Sequence, residues 1–242
     1  MQRCVHPGKC ASIRAGTGNG QRAIWYHARM NRLFLVRHGL TEWNQGERYQ
    51  GQIDVPLAAK GRRQAAALRD RLRNEHFDIC YASALSRALE TAETILEEHF
   101  CPLQQYAELN ELSYGAWEGL TRAEIIARHP EDWERHILDP ATYPPTGGES
   151  RAELRIRVVR TLETIDAANR DASILVVSHG GTIRMIVAHY LGIDDNHLRR
   201  LRIDNVSLSV VDVYPGWGML SLFNDTAHLL PGKPPLSREP AS

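Results

Sequence analysis

Short apolar runs alternate with amphipathic segments from Leu33 onward, and this alternation limits what the chain can fold into more than any other feature. Residues 33–36, 77–81 and 174–177 have the apolar composition of buried strands. Strand–helix alternation of this kind is typical of parallel βα units, in which helices cover a sheet. We therefore predict an α/β fold.

Helix signals complete this pattern. Helices are predicted at residues 65–72, 86–97 and 180–191. Ser150 and Glu153 form a capping-box pattern that opens a further helix, to about residue 168. Two strand-like runs, 207–214 and 219–223, flank a Pro-Gly turn and predict a hairpin at a sheet edge.

The composition fits one α/β domain over residues 30–230 with a sizeable core, since 43% of the 242 residues are hydrophobic. No run of some eighteen apolar residues is present, so we expect no membrane span. The formal net charge is zero, which gives no support to a nucleic-acid or membrane-surface partner. The four cysteines form neither paired metal-binding motifs nor a dense disulfide framework, so we expect a cytoplasmic location.

The two ends of the chain differ from the rest. Residues 1–29 are basic and acid-free, without an apolar h-region, and we expect a disordered extension or a mis-assigned start. Cys4, His6 and Cys10 invite a metal-site interpretation, but no second half-site follows them. Residues 231–242 hold several prolines and are expected to form a loose tail.

Polar residues follow three of the predicted strands. The first strand leads into Arg37-His38-Gly39, the second into Ser83 with Arg87 one turn into the next helix, and the third into His179-Gly180-Gly181. In an open α/β sheet, ligands bind beyond the carboxyl ends of the strands. If the three strands are parallel neighbours, two arginines and two histidines converge on one pocket.

These residue types suit a phosphomonoester, which carries about two negative charges near neutral pH. Arg37 and Arg87 offer planar forks that bond two phosphate oxygens at once. A neutral His38 imidazole can act as the nucleophile, and His179 can donate to the same oxygens. Gly39 and the Gly180 helix start, being without side chains, let the backbone approach the ligand.

A leaving alkoxide needs a proton, and Glu111, flanked by leucines, is the candidate general acid, with Glu118 as its rival. Each residue has a simpler interpretation when taken alone. His179 could be a core histidine, and Arg87 a solvated helix residue. Their occurrence together, each at a strand end, favours the site.

The chain resembles the histidine phosphatase superfamily, also called the phosphoglycerate mutase-like family, over roughly residues 33–229. The signature segment is LFLVRHGLTEWN at residues 33–44. Further matching segments are Arg48-Tyr49-Gln50-Gly51, Asp54-Val55-Pro56-Leu57, Ser83-Ala84-Leu85-Ser86-Arg87-Ala88, Glu111 with Gly115-Ala116-Trp117-Glu118-Gly119, Gly147-Gly148-Glu149-Ser150 and Ser178-His179-Gly180.

The resemblance implies a three-layer α/β/α sandwich on a mostly parallel sheet with an antiparallel edge strand. It implies that His38 is the phosphohistidine nucleophile and that Glu111 is the proton donor. It also implies that three further residues complete the phosphate pocket: Arg37, Arg87 and His179. Positions expected to touch phosphate or substrate are Asn44, Gln50, Gly51, Tyr114 and Gly180. No metal and no cofactor are expected, and a homodimer is one possible assembly.

Two departures from the family pattern stand out. Ala58 follows Pro56-Leu57 where a helix-opening threonine or serine is usual, which removes an N-cap worth about 1 kcal/mol. Mutases of the family carry a longer insertion with paired arginines for the substrate carboxylate. Here residues 121–146 form a short segment whose arginines are separated: Arg122, Arg128 and Arg135.

The sequence therefore predicts a phosphomonoester hydrolase that acts on a small phosphorylated metabolite. α-Ribazole phosphate, phosphoserine and a broad substrate range all fit. The alternatives are phosphoryl transfer of the phosphoglycerate mutase type and a non-catalytic module that binds phosphorylated ligands. Four aromatic residues between 113 and 143 either set selectivity or pack: Tyr114, Trp117, Trp133 and Tyr143.

Overall fold

The computed structural model describes residues 30–230, which fold around a six-stranded sheet. The strands are β1 (Asn31–Arg37), β2 (Ile79–Ser83), β3 (Leu103–Tyr106), β4 (Ser173–Ser178), β5 (Leu208–Tyr214) and β6 (Trp217–Asp225). Their order is β3-β2-β4-β1-β5-β6. The first four are parallel, whereas β5 is antiparallel to both of its neighbours. The predicted α/β fold is confirmed, and the predicted hairpin places β6 outside β5 at the edge.

Helices cover both faces of this sheet. They are α1 (Glu42–Gln45), α2 (Ala59–Leu72), α3 (Ser86–Leu96), α4 (Arg122–Arg128), α5 (Pro130–Leu138), α6 (Arg151–Ala168) and α7 (Gly180–Leu191). Short 3₁₀ helices lie at Ala107–Leu109, Gly115–Trp117, Asp195–Arg200 and Ala227–Leu229.

Alternate side chains of the central strands form two cores. Leu33 and Leu35 of β1 belong to a cluster that includes the apolar residues of α6 and α7. Phe34 and Val36 belong to a cluster with those of α2 and α3. Since each fully buried aliphatic side chain contributes roughly 1.5–3 kcal/mol, both faces of the sheet stabilise the fold. The result is the expected three-layer arrangement.

Local signals fix the helix starts. Ser150 Oγ accepts from the N–H of Glu153, and Glu153 Oε2 accepts from the N–H of Ser150 at 2.8 Å, so the capping box predicted for α6 is present. Helix α2 begins after Ala58 without a side-chain cap, as its sequence predicts. Helix α7 ends at Leu191 and is capped by Gly192, whose φ of 65° is a left-handed conformation that glycine adopts without strain.

The predictions for residues 1–29, including Cys4, His6 and Cys10, and for residues 231–242 lie outside the described residues. Cys80 is buried in the core. Within residues 30–230, no helix is both long and apolar enough to cross a membrane. Over the same range, no cluster of three or more His, Cys, Asp or Glu side chains is arranged to hold a metal ion.

Candidate active site

The carboxyl ends of β1, β2 and β4 meet at one edge of the sheet, because β4 lies between the other two and all three run parallel. Arg37 and Ser178, the last residues of β1 and β4, are register partners. The N–H of His38 donates to the carbonyl of Ser178 at 2.9 Å. A cavity of about 220 Å³ opens there, lined by residues that include Arg37, His38, Arg87 and Glu111. The predicted convergence of the strand ends is therefore present.

Among residues 30–230, only one ring nitrogen of His38 has a hydrogen-bond partner. Its Nδ1 lies 2.7 Å from the carbonyl oxygen of Gly39, which can only accept, so Nδ1 carries the proton. Burial lowers the pKa of His38 well below its ordinary value, and the charges of Arg37 and Arg87 lower it further. The imidazole is therefore neutral near pH 7, with a lone pair on Nε2.

His179 has the opposite arrangement. Its Nε2 lies 2.7 Å from Ser83 Oγ, and Ser83 Oγ donates to Asn110 Oδ1 at 2.7 Å. Asn110 Oδ1 also accepts from the N–H of Ala84 at 3.1 Å, which identifies it as the amide oxygen. Because the one hydroxyl proton of Ser83 is already used, His179 Nε2 must be the donor.

His179 is fully buried and packs beside the His38 ring instead of lining the cavity. Burial lowers its pKa well below the ordinary value, and Arg87, His38 and Arg37 add to the effect. Its Nδ1 has no hydrogen-bond partner among residues 30–230.

Backbone carbonyls hold both arginines of the site. Arg37 Nη1 donates to Ile203 at 2.8 Å, while Arg87 donates to Ile53 at 2.8 Å and to Gly51 at 2.7 Å. Burial lowers the pKa of Arg37 to about 10 and also lowers that of Arg87. The Nε atom of each is buried without a partner in the described part of the chain. Carbonyls orient these guanidinium groups without neutralising them, which suits an anion site.

Glu111 and Glu118, the two candidate acids, occupy different places. Glu111 lines the cavity, and its two oxygens accept from the N–H of Gly181, at the start of α7, at 3.0 and 3.1 Å. Glu118 does not line the cavity, and its Oε1 accepts from the N–H groups of Gln52 and Tyr114 at 3.0 Å each. The position of Glu111 suits a proton donor, whereas Glu118 fastens two loops together.

Arg157, which sequence reasoning missed, secures the segment that carries Glu111. It donates to the carbonyls of Glu108, Asn110 and Glu111 at 2.6, 2.9 and 2.9 Å. It also forms a two-point ion pair with Glu149, at 2.6 and 2.8 Å. The signal in the sequence was Glu149 itself, since it belongs to the Gly-Gly-Glu-Ser segment of the family pattern.

The remaining predicted contact residues divide into two groups. Those that line the cavity are Asn44, Gln50, Gly51, Tyr114 and Gly180. Gly39 does not line it, because its N–H donates to Thr91 Oγ1 at 3.0 Å and a side chain there would lie 2.8 Å from the carbonyl oxygen of Gly61. Gly39 therefore packs against α2, and its position does not support the predicted ligand contact.

Asn205 is a second residue that the sequence did not indicate. Its Nδ2 donates to the carbonyl of His38 at 3.0 Å and to Asn44 Oδ1 at 3.2 Å. It thereby links the segment that carries His38 to the first turn of α1.

The aromatic residues between 113 and 143 have mixed places. Trp117 is fully buried and packs against Trp133 with ring centroids 5.5 Å apart, so it is a packing residue. Tyr143 is exposed. Tyr114 lines the site cavity, and both it and Trp133 line a neighbouring cavity.

Comparison with known proteins shows which family the chain belongs to. The histidine phosphatase superfamily (branch 1) model matches residues 33–226. Phosphoserine phosphatase 1 of Hydrogenobacter thermophilus is 34% identical over 200 residues, covering 83% of this chain and 95% of that protein. The adenosylcobalamin/alpha-ribazole phosphatase of Salmonella typhimurium is 33% identical over 196 residues, covering 81% and 97%.

Among solved structures, that of a putative alpha-ribazole-5'-P phosphatase from Escherichia coli matches with a TM-score of 0.76 and 31% identity. The match covers 81% of this chain and 96% of that one. The resemblance seen in the sequence is thus confirmed over nearly all of the described residues. The chain is an enzyme of branch 1 of the histidine phosphatase superfamily, and the relatives described above are named phosphatases.

Proposed function

We propose that the protein hydrolyses phosphomonoesters of small metabolites through a phosphohistidine formed at His38 Nε2. The observation that carries this proposal is the His38 ring itself. The carbonyl of Gly39 holds its Nδ1 proton, and burial keeps the ring neutral. The lone pair on Nε2 faces a cavity that Arg37 and Arg87 line, and neither arginine forms an ion pair within residues 30–230.

The first step transfers the phosphoryl group to the enzyme. The lone pair of His38 Nε2 attacks phosphorus, the bond from phosphorus to the ester oxygen breaks, and Glu111 gives its proton to the departing alcohol. Arg37 and Arg87 stabilise the charge on the equatorial oxygens. The N-terminus of α7 at Gly180 adds its positive dipole end.

The second step returns the enzyme to its starting state. Glu111, now a carboxylate, accepts a proton from water, the oxygen of that water attacks phosphorus, and the P–N bond breaks to release inorganic phosphate. The negative charge of a bound phosphate favours the protonated form of His179. We propose that the unpartnered Nδ1 then gains a proton and donates to a phosphate oxygen.

The proposal is tested by following the phosphoenzyme. Wild-type protein should hydrolyse p-nitrophenyl phosphate and members of a metabolite panel that includes phosphoserine and α-ribazole phosphate. Rapid quenching should trap an acid-labile phosphoenzyme. His38→Ala should lose both, whereas His76→Ala, which changes an exposed histidine away from the site, should keep both.

Other outcomes would support the alternatives. Isomerisation of 3-phosphoglycerate that outpaces its hydrolysis would favour a mutase. Binding of phosphorylated ligands without any turnover would favour a non-catalytic module. The cytoplasmic location, the homodimer and the absence of nucleic-acid and membrane partners stay predictions.

A further inference from the structure

A second cavity, of about 340 Å³, lies beside the site. Tyr49, Tyr114 and Arg184 line both cavities, so the two adjoin, and we call them together the recess. Among the described residues, no aspartate or glutamate lines the second cavity. Its charge comes from four arginines, which we call the arginine cluster: Arg122, Arg151, Arg184 and Arg199.

Four separate elements supply the arginine cluster. Arg122 opens α4 and Arg151 opens α6, whereas Arg184 lies in the second turn of α7. Arg199 belongs to the 3₁₀ helix Asp195–Arg200. Residues far apart in the chain are therefore brought to one recess, and their common feature is positive charge.

None of these arginines forms an ion pair with a carboxylate within residues 30–230. Arg151 and Arg184 are oriented by the backbone carbonyls of Asp195 and Leu201, each at 2.7 Å. Arg155, one turn along α6 from Arg151, shows the contrast, since its Nε donates to both carboxylate oxygens of Asp195 at 2.8 Å. Arg155, outside the recess, is paired with a carboxylate, whereas the arginines that line the recess have no carboxylate partner among residues 30–230. Arg122 instead lies over the ring of Trp133, 5.2 Å from its centroid.

Unpaired like charges are costly when they are partly buried. Burial lowers the pKa of Arg151, and the charges of Arg199 and Arg184 add to the effect. Arg184 also stands close to the phosphate site, because a side chain at Gly180 would lie 3.5 Å from both Arg184 Nη1 and Arg37 Nε. An anion in the second cavity would relieve this repulsion.

We propose that the substrate is a phosphomonoester with a second anionic group, a carboxylate or a second phosphate, which the arginine cluster binds while the ester phosphate lies against His38. This inference rests on the proposed function and adds the substrate class. Tyr49, Trp133 and Leu112 line the same cavity and contact the carbon skeleton between the two anions.

Matched pairs of esters test the proposal and separate the two kinds of anion. 3-Phosphoglycerate differs from glycerol 3-phosphate by a carboxylate in place of a hydroxymethyl group. Fructose 1,6-bisphosphate differs from fructose 6-phosphate by a second phosphate. We expect kcat/KM to be at least about tenfold higher for the doubly anionic member of one pair, as a charge-assisted hydrogen bond implies. Equal values within both pairs would overturn the proposal.

Variants of exposed cluster residues localise the effect. Arg122 and Arg199 are exposed and make no hydrogen bond to the described residues, so Arg122→Gln and Arg199→Gln should fold. Each should reduce the ratio of kcat/KM within the favoured pair severalfold. Arg200→Gln, at the next position of the same 3₁₀ helix and outside the cavity lining, should retain the wild-type ratio. A ratio unchanged in both cluster variants would contradict the assignment.

Failure of this inference is distinguishable from failure of the proposed function. Absence of p-nitrophenyl phosphate hydrolysis by the wild-type protein would contradict the phosphatase. Calorimetric binding of 3-phosphoglycerate and glycerol 3-phosphate to His38→Ala measures the preference without catalysis. Equal affinities in that measurement, and for the two fructose phosphates, would contradict the role of the arginine cluster.

Discussion

The rings of His38 and His179 lie with centroids 5.1 Å apart, and their hydrogen bonds place their protons on opposite nitrogens. His38 is protonated at Nδ1 because it faces a carbonyl. His179 is protonated at Nε2 because the hydroxyl of Ser83 has already donated to Asn110. The two neighbouring imidazoles are both neutral, but His38 has its lone pair on Nε2 and His179 has its lone pair on Nδ1. The hydrogen-bond partners of each ring determine which nitrogen carries the proton.

This relationship predicts two distinct signatures in long-range ¹H–¹⁵N spectra at pH 7.5. One histidine should show the Nδ1–H tautomer and another, equally buried, the Nε2–H tautomer. His38→Gln should remove the first signal and His179→Gln the second. The same tautomer at both residues would contradict the assignment.

Ser83→Ala should release His179 from its fixed tautomer. The Nε2–H signal of His179 should become a mixture of tautomers, and kcat/KM should fall about tenfold, because a buried donor loses its partner. Ser173→Ala, a similar truncation at the other end of the same sheet, is the control and should keep both values. A drop in activity with the tautomer unchanged would show that Ser83 acts only through packing.

Glu111→Gln should discriminate between esters by their leaving groups. Turnover of alkyl phosphates should fall by roughly 10²–10⁴-fold, whereas p-nitrophenyl phosphate should be affected far less, since its leaving group departs without a proton. Glu118→Gln is the matched comparison, because Glu118 lies outside the cavity lining. If Glu118→Gln showed the larger selective loss on alkyl esters, the general acid would have to be reassigned.

His228 should make the fold less stable in acid. Burial lowers its pKa to about 4, and the nearby charge of Arg71 contributes to the shift. Because the unfolded chain binds the proton more tightly, this stabilisation is complete above about pH 6.5 and is lost as the pH falls toward 4, by at most about 3 kcal/mol. Urea-unfolding midpoints of His228→Gln should therefore fall less steeply between pH 6.5 and 4.5 than those of the wild type.

The control for this measurement is His76→Gln, which alters an exposed histidine and should keep the wild-type pH dependence. Identical slopes for His228→Gln and the wild type would mean that His228 does not contribute. Unfolding midpoints should still depend on pH in both variants, because burial also lowers the pKa of other histidines, including His136.

The sequence was sufficient for the parts of the site that depend on strand direction. Apolar runs that end in Arg37-His38, Ser83 and His179 must meet at one edge if their strands are parallel, and no side-chain geometry is needed for that inference. Strand β3 escaped prediction because its residues, Leu-Gln-Gln-Tyr, lie at the sheet edge and none of them is fully buried. Without burial, a strand carries little periodic signal.

Side-chain partnerships across the fold could not be predicted. Arg122, Arg128 and Arg135, which lie close together in the sequence, have different partners in the structure. Arg128 and Arg135 form ion pairs within their own helices, and only Arg122 lines the second cavity. Arg151, Arg184 and Arg199, which line the same cavity as Arg122, lie outside residues 121–146. The spacing of arginines within that segment therefore could not predict how much positive charge the second cavity holds.

Gly181 has a consequence beyond this chain. Its N–H holds the carboxylate of Glu111, and any side chain at that position would overlap Glu111 Oε1. The residue types at these two positions therefore depend on each other, and both should be checked when the activity of a related sequence is predicted. On the proposed roles of His38 and Glu111, a chain of this fold that keeps the histidine but has a bulky residue in place of the glycine must hold its acid elsewhere. Otherwise it would accept phosphate only from activated donors, and would serve as a phosphoryl acceptor instead of a hydrolase.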